Sequence, residues 1–109
     1  KVLPIRTHED FEEAEAWEPF VDHLMFDARP PEGSRLPGGV GARFDWALLA
    51  DRAYRRPWFV AGGLTPDNVA QAIRVSGAPL VDVSSGVESA PGVKDPALIA
   101  AFLEAVRSA

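Results

Sequence analysis

Two aspartates carry the candidate chemistry of this chain. Asp27 ends the expected strand Val21 to Phe26, and Asp82 lies inside Leu80-Val81-Asp82-Val83. A carboxyl group at a strand end can give a proton to a bound molecule or take one from it. Two small-residue turns accompany them, Ala61-Gly62-Gly63-Leu64 and Ser84-Ser85-Gly86. Glycine lets the backbone adopt φ > 0 and approach a ligand closely. The N–H groups of such turns, and of a helix start beyond them, bind anions. One glycine pair reads equally well as a plain tight turn. The second turn, with Asp82 beside it, favours a phosphate cradle built from Gly62, Gly63, Ser85 and Gly86.

The elements that must position these residues follow from the apolar pattern. Trp58-Phe59-Val60 and Leu80 to Val83 are short apolar runs, as strands buried in a parallel sheet require. Between them Thr65-Pro66-Asp67-Asn68 leads into the helical stripe Val69, Ala72, Ile73. Upstream, Lys1 to Ile5 reads as a strand, with Pro4 at an edge or a strand end. Thr7 is the expected N-cap of a helix whose apolar stripe is Phe11, Ala14 and Trp17. His8 reads as an exposed first-turn residue, and His23 as a packed or strand-face residue. After Asp27 the polar stretch from Ala28 to Gly41 is too long for a plain connection. Asp45 is a plausible N-cap for a helix through Trp46, Leu48 and Leu49. Downstream, Pro91 to Lys94 reads as a loop. Asp95-Pro96 opens the last helix, with proline at its first position and Ile99, Phe102, Leu103 and Val106 expected along one face.

The order is strand then helix, four times over, which implies βαβ units and a parallel sheet. The fold class is therefore α/β. Four units are half of a (β/α)8 barrel, which typically needs roughly 250 residues, and this chain has 109. A glycine-built phosphate site after strands seven and eight is a recurrent feature of such barrels. Residues 1–109 are thus expected to form four units of a partial barrel whose N-terminal half is absent from this chain. The strand-like start at Lys1, without a methionine, agrees with a fragment.

Composition narrows the function classes. The net charge of −5 is opposite to the basic footprint of a nucleic-acid binder. There is no cysteine, hence no disulfide framework and no thiolate metal site. His8 and His23 are too few and too far apart for a metal motif. No apolar run is long enough to span a bilayer, and no secretory signal is evident. The expectation is a cytoplasmic protein with no metal, no nucleic-acid partner and no membrane partner.

Taken together, five segments are more specific than any one of them. They are Phe26-Asp27, Pro37 to Trp46, Ala61 to Val69, Val81 to Glu88, and Pro91-Gly92-Val93-Lys94-Asp95. This set resembles the C-terminal half of the phosphoribosylanthranilate isomerases, strands five to eight of a (β/α)8 barrel, over essentially the whole chain. The resemblance implies a cofactor-free Amadori rearrangement in tryptophan biosynthesis. N-(5-phosphoribosyl)anthranilate becomes 1-(2-carboxyphenylamino)-1-deoxyribulose 5-phosphate. It further implies that Asp27 is the general acid, that Asp82 assists near the anthranilate amine, and that Gly38, Gly39 and Gly41 join the two glycine turns in holding the phosphate.

Burial beside apolar residues such as Phe26 favours the protonated, acid-competent form of a carboxyl group. Asp27 could instead be a plain loop or capping acid, and Asp82 a carboxylate that holds loop N–H groups. The chain departs from the family pattern in two places. The family's general base is a cysteine ending strand one, and this chain has none. The glycine-rich loop usually carries glycine-lysine before the aromatic residue. Here it reads Gly41-Ala42-Arg43, which leaves Arg43 without an assigned role.

Two alternatives stand beside this reading. One is another phosphosugar barrel such as indole-glycerol-phosphate synthase, which would want a lysine acid at a strand tip. The other is a non-catalytic phosphate-binding half-barrel module, which would keep the glycine turns without needing Asp27. The expected partners are a phosphorylated small molecule, the missing N-terminal half-barrel and a possible second copy of the chain. The inward faces of the strands, expected to include Val60, Leu80 and Val83, would otherwise lack an opposing layer.

Overall fold

The computed structural model describes residues 1–5, 9–27, 46–50, 54 and 56–109. Thr7, His8, the Ala28 to Gly41 stretch with its three candidate glycines, Arg43 and Asp45 lie outside the described residues. Four parallel strands form one sheet in the order β1-β2-β3-β4: β1 (Val2–Pro4), β2 (Leu24–Asp27), β3 (Trp58–Ala61) and β4 (Leu80–Val81). Strand order follows chain order, as consecutive right-handed crossovers produce. Pro4 ends the outer strand β1, where its missing N–H removes no bond from the sheet interior.

Register decides which face each residue serves. Leu3 is level with Phe26, Phe26 with Val60, and Val60 with Val81. Side chains alternate between faces along a strand, so this set covers one face together with Leu24 and Trp58. Leu3, Leu24, Phe26, Trp58 and Val60 are all buried there. Phe26 is the centre of an aromatic group. Its ring centroid lies 5.6 Å from Phe11, 5.4 Å from Tyr54 and 5.5 Å from Trp58. The opposite face carries Val2, Met25, Phe59 and Leu80 in one row, and Pro4, Asp27 and Ala61 in the next. Val60 therefore packs under the helices and does not face inward as expected. The adjacent residue Phe59 takes the inward place.

The helices cover the first face. Helix α1 (Asp10–Trp17) buries Phe11 and Ala14, three residues apart. Trp17, expected to extend that stripe, is exposed, with the Lys1 ammonium 4.6 Å from its ring centroid. Helix α2 (Val69–Ser76) buries Val69 and Ala72 and stops at Gly77, whose φ of 73° is left-handed. Buried Ser76 is satisfied locally, donating to the Ala72 carbonyl at 2.6 Å and accepting from Ala78 N–H at 3.1 Å. Helix α3 (Pro96–Ser108) starts as expected: Asp95 accepts from Ala97 N–H at 2.8 Å and Leu98 N–H at 3.4 Å. Its packed stripe is Leu98, Phe102, Ala105 and Val106, whereas Ile99 and Leu103 are exposed.

Other expectations shift at their boundaries. The strand expected from Val21 begins at Leu24; a 3-10 turn over Glu18–Phe20 comes first, and residues 21–23 link the two. The helix expected after Asp45 is, within the described residues, a 3-10 turn over Trp46–Leu49 that buries Leu49. The last strand pairs only through Val81, so Asp82 and Val83 follow it as loop. Pro91-Gly92, read as loop, is the turn of an antiparallel hairpin, β5 (Glu88–Ala90) and β6 (Val93–Lys94). His23 precedes β2, is exposed, and meets Phe59 edge-on with ring centroids 6.1 Å apart. No helix among the described residues is long and apolar enough to cross a membrane.

Candidate active site

The C-terminal tips of β2, β3 and β4 stand side by side. Asp27 is level with Ala61 in the register, and the N–H of Asp82 donates to the Val60 carbonyl at 3.0 Å. Three consecutive tips thus bring Asp27, Gly62 and Asp82 to one end of the sheet, where a parallel α/β fold places its ligands. They open on a cavity of about 350 Å³. Met25, Asp27, Ala61 to Leu64 and Asp82 to Gly86 line it. Of the candidate residues named from sequence, Asp27, Asp82, Gly62, Gly63, Ser85 and Gly86 meet here. Gly38, Gly39 and Gly41 lie outside the described residues.

The two carboxylates differ in environment. Asp27 is 9% exposed, set beside the buried Phe26, and its backbone carbonyl accepts from Ile5 N–H at 3.0 Å. Asp82 is exposed at the rim. One covered and one exposed acid thus line the same cavity.

The first turn owes its shape to glycine. Gly62 has φ of 90° and Gly63 has φ of 66°, a pair of left-handed residues that side chains bearing a Cβ strongly disfavour. Asn68 then fixes the turn to the start of α2. Its side-chain oxygen accepts from Thr65 N–H at 2.8 Å, and its side-chain nitrogen donates to the Gly63 carbonyl at 2.9 Å. This role of Asn68 was not read from sequence. An asparagine just before an apolar stripe signals a cap, and here the side chain turns back onto the loop instead.

The second turn is a 3-10 turn over Ser85–Val87. Gly86 has no positive φ among the described glycines; a Cβ built on it would lie 1.8 Å from the Leu64 carbonyl oxygen. Glycine is required there by contact with the neighbouring turn, a reason different from the ligand approach expected. Within the described residues, no hydrogen bond uses the N–H groups of Gly62, Gly63, Ser85 or Gly86. Four backbone donors are thus grouped on two touching turns, which is the composition of an anion nest. Among the described residues there is no cluster of three or more metal-ligating side chains.

Behind the second turn lies an ion pair that sequence reading did not single out. Glu88 and Lys94 are cross-strand partners in the hairpin, with Lys94 Nζ 2.6 Å from Glu88 Oε2. The hydrogen bond from Lys94, with a second from Gly92 N–H, holds the Glu88 carboxyl below the usual carboxylate range. The signal was present in Glu88 and Lys94 flanking Pro91-Gly92, a spacing that a hairpin turn brings face to face.

A parallel β/α sheet with acids and glycine turns gathered at its C-terminal strand ends is the arrangement of the (β/α)-barrel class. A model of the N-(5'phosphoribosyl)anthranilate (PRA) isomerase family matches residues 2–105, and the chain belongs to that family. It is 63% identical over 107 residues to the N-(5'-phosphoribosyl)anthranilate isomerase of Caulobacter sp. (strain K31), covering 98% of this chain and 50% of that protein. The fold matches the crystal structure of the Thermotoga maritima isomerase with a TM-score of 0.80 at 37% identity, over 100% of this chain and 51% of that one. A second isomerase structure, in complex with reduced 1-(o-carboxyphenylamino)-1-deoxyribulose 5-phosphate, matches with a TM-score of 0.75 at 32% identity, over 100% and 48% of the two chains. The chain spans about half the length of the curated relatives it matches.

Proposed function

We propose that this chain is the acid-bearing and phosphate-holding half of a phosphoribosylanthranilate isomerase, residues 1–109 forming four β/α units of a barrel completed by a further half. The observation that carries the proposal is the meeting of Asp27, Asp82 and both glycine turns around one cavity in a chain of this family.

The chemistry needs no external redox partner, because the electrons move within the sugar. Asp27 gives its proton to the furanose ring oxygen. The bond from C1 to that oxygen breaks, and the anthranilate nitrogen supplies the electrons of the resulting Schiff base. Removal of the proton on C2 then gives the enolamine, which tautomerises to the 2-ketone. Asp82, exposed at the cavity rim, assists near the anthranilate amine in this reading. The N–H groups of Gly62, Gly63, Ser85 and Gly86 hold the phosphate, and Gly38, Gly39 and Gly41 are proposed to add to that site. The C2 proton goes to a base outside this chain, which has no cysteine to match the family's base. The setting of this reading is tryptophan biosynthesis in the cytoplasm.

The test is made in a complete barrel, with this chain replacing the matching segment of the Caulobacter relative. Asp27→Asn is expected to cut kcat by about 10²–10⁴-fold, the usual contribution of a general acid. Inhibition by inorganic phosphate should be unchanged. Turnover that survives Asp27→Asn would remove Asp27 from the mechanism.

A further inference from the structure

We propose that Lys94 is a positioning residue for the phosphate cradle, acting on the orientation of the Ser84–Ser85 peptide from outside the cavity; this rests on the function proposed above.

Lys94 is on β6, beyond the hairpin turn, and does not line the cavity. Its ammonium donates to two acceptors, Glu88 Oε2 at 2.6 Å and the Ser84 backbone carbonyl at 2.8 Å. Glu88 is tied in turn by its other oxygen, which accepts from Gly92 N–H at 2.9 Å. The Glu88 side chain is only 13% exposed, whereas that of Lys94 is 49% exposed. The carboxylate thus fixes the ammonium, and the ammonium fixes the carbonyl.

The consequence lies on the other side of the same peptide. In a trans peptide the carbonyl and the next N–H point in opposite directions, and no described peptide bond is cis. Holding the Ser84 carbonyl toward Lys94, which does not line the cavity, turns the Ser85 N–H away from Lys94, and Ser84, Ser85 and Gly86 all line the cavity. Local backbone forces give little help, since Ser84 has φ −131° and ψ −87°, outside the main allowed regions. Among the described residues its carbonyl receives one other bond, from Val87 N–H at a long 3.4 Å. A residue in a sparsely populated conformation persists when its surroundings over-determine it, and the Lys94 bond is the strong constraint present. The hairpin is itself anchored, because Asp95 N–H donates to the Val87 carbonyl at 2.9 Å and the Asp95 side chain caps α3. The brace therefore runs from α3 to the cradle.

A charge role is the competing account of a lysine near a phosphate. Here the Lys94 charge is compensated by Glu88, so its effect on an anion comes through the peptide it orients. Lysine at this position then differs from any apolar residue of similar length by the loss of a charge-assisted hydrogen bond.

The experiment uses the complete barrel described above, with inorganic phosphate as the probe. Lys94→Met should raise KM for the phosphorylated substrate and the inhibition constant of inorganic phosphate together, by roughly tenfold or more, the scale of one hydrogen bond to a charged group. The fall in kcat should be smaller than the rise in KM. Lys94→Arg, which keeps donors and charge, should recover at least half of the lost phosphate affinity on a logarithmic scale. Glu88→Gln serves as a second variant, should Lys94→Met fold poorly, and is expected to show the same paired rise with a smaller amplitude. Phosphate affinity unchanged in both Lys94→Met and Glu88→Gln would overturn the proposal. So would equal losses in kcat and kcat/KM at constant phosphate affinity. If the parent barrel binds phosphate in a Lys94-dependent way without isomerising the substrate, the function reading fails and the brace stands. If it isomerises and Lys94→Met changes neither constant, the brace fails alone.

Discussion

The α-carbon of Gly86 rests against the backbone carbonyl of Leu64, so closely that a Cβ on Gly86 would lie 1.8 Å from the oxygen and 2.9 Å from the carbon. The obstacle is backbone, which cannot rotate out of the way as a side chain can. The turns after β3 and β4 are consequently one unit, with the donors of Ser85–Gly86 held at a set distance from those of Gly62–Gly63. Gly86→Ala is expected to push the turns apart. Overpacking of this kind typically costs ~1–3 kcal/mol, read as a lowered Tm. In the complete barrel it should also raise KM for the phosphorylated substrate. An alanine variant with parental Tm and KM would show that the contact is not present in solution.

Gly63 fails for another reason when changed. A Cβ there meets nothing within 4 Å, but φ is +66°. The left-handed region costs an ordinary residue roughly 1–2 kcal/mol, and a β-branched one more. Gly63→Val should therefore lower Tm and raise KM, whereas Gly63→Asn, which tolerates this region better, should retain most of both. Equal effects of valine and asparagine in thermal melts would refute the conformational explanation.

The Glu88–Lys94 pair has a predictable pH dependence. The folded-state pKa of Glu88 is depressed, first by the Lys94 hydrogen bond and next by Gly92 N–H. Its contribution to stability is therefore complete above the ordinary carboxylate range and disappears as pH falls through the depressed value. The Tm difference between the parent and Glu88→Gln should be present at neutral pH and shrink in acid. A difference that stays constant down through that range would contradict the ion pair.

The 109-residue chain alone is expected to show no isomerase turnover. It has no cysteine base, and the loss of one acid–base group costs typically ~10²–10⁴-fold. It should also self-associate. Among the described residues β1 and β4 are open sheet edges, and Val2 on the cavity face is 52% exposed, as unpaired edges and bare apolar faces predict. Adding a complementary half should restore a compact mass and activity. Sedimentation showing a monomer with turnover would overturn both expectations.

What the sequence by itself determined is local. Consecutive glycines at 62 and 63 announced a left-handed turn because φ preference belongs to the single residue. Asp95-Pro96 announced a helix start because the cap reaches only two or three positions along the chain. The motif segments identified the family because each is a short run of fixed spacing. What tertiary structure decided depends on partners far away in sequence. Val60 went to the helix side and Phe59 to the cavity side because register with β2 and β4 set the parity, and a one-residue change reverses every side chain. Ile99 and Leu103 share the helical period of Phe102, yet contact with α2 and with the turn over Ser85–Val87 chose which part of that stripe is covered. Gly86 is glycine because of Leu64, and Glu88 meets Lys94 because the chain turns back at Pro91-Gly92. Periodicity gives an element its kind, and only the packing of one element on another gives each face its neighbour.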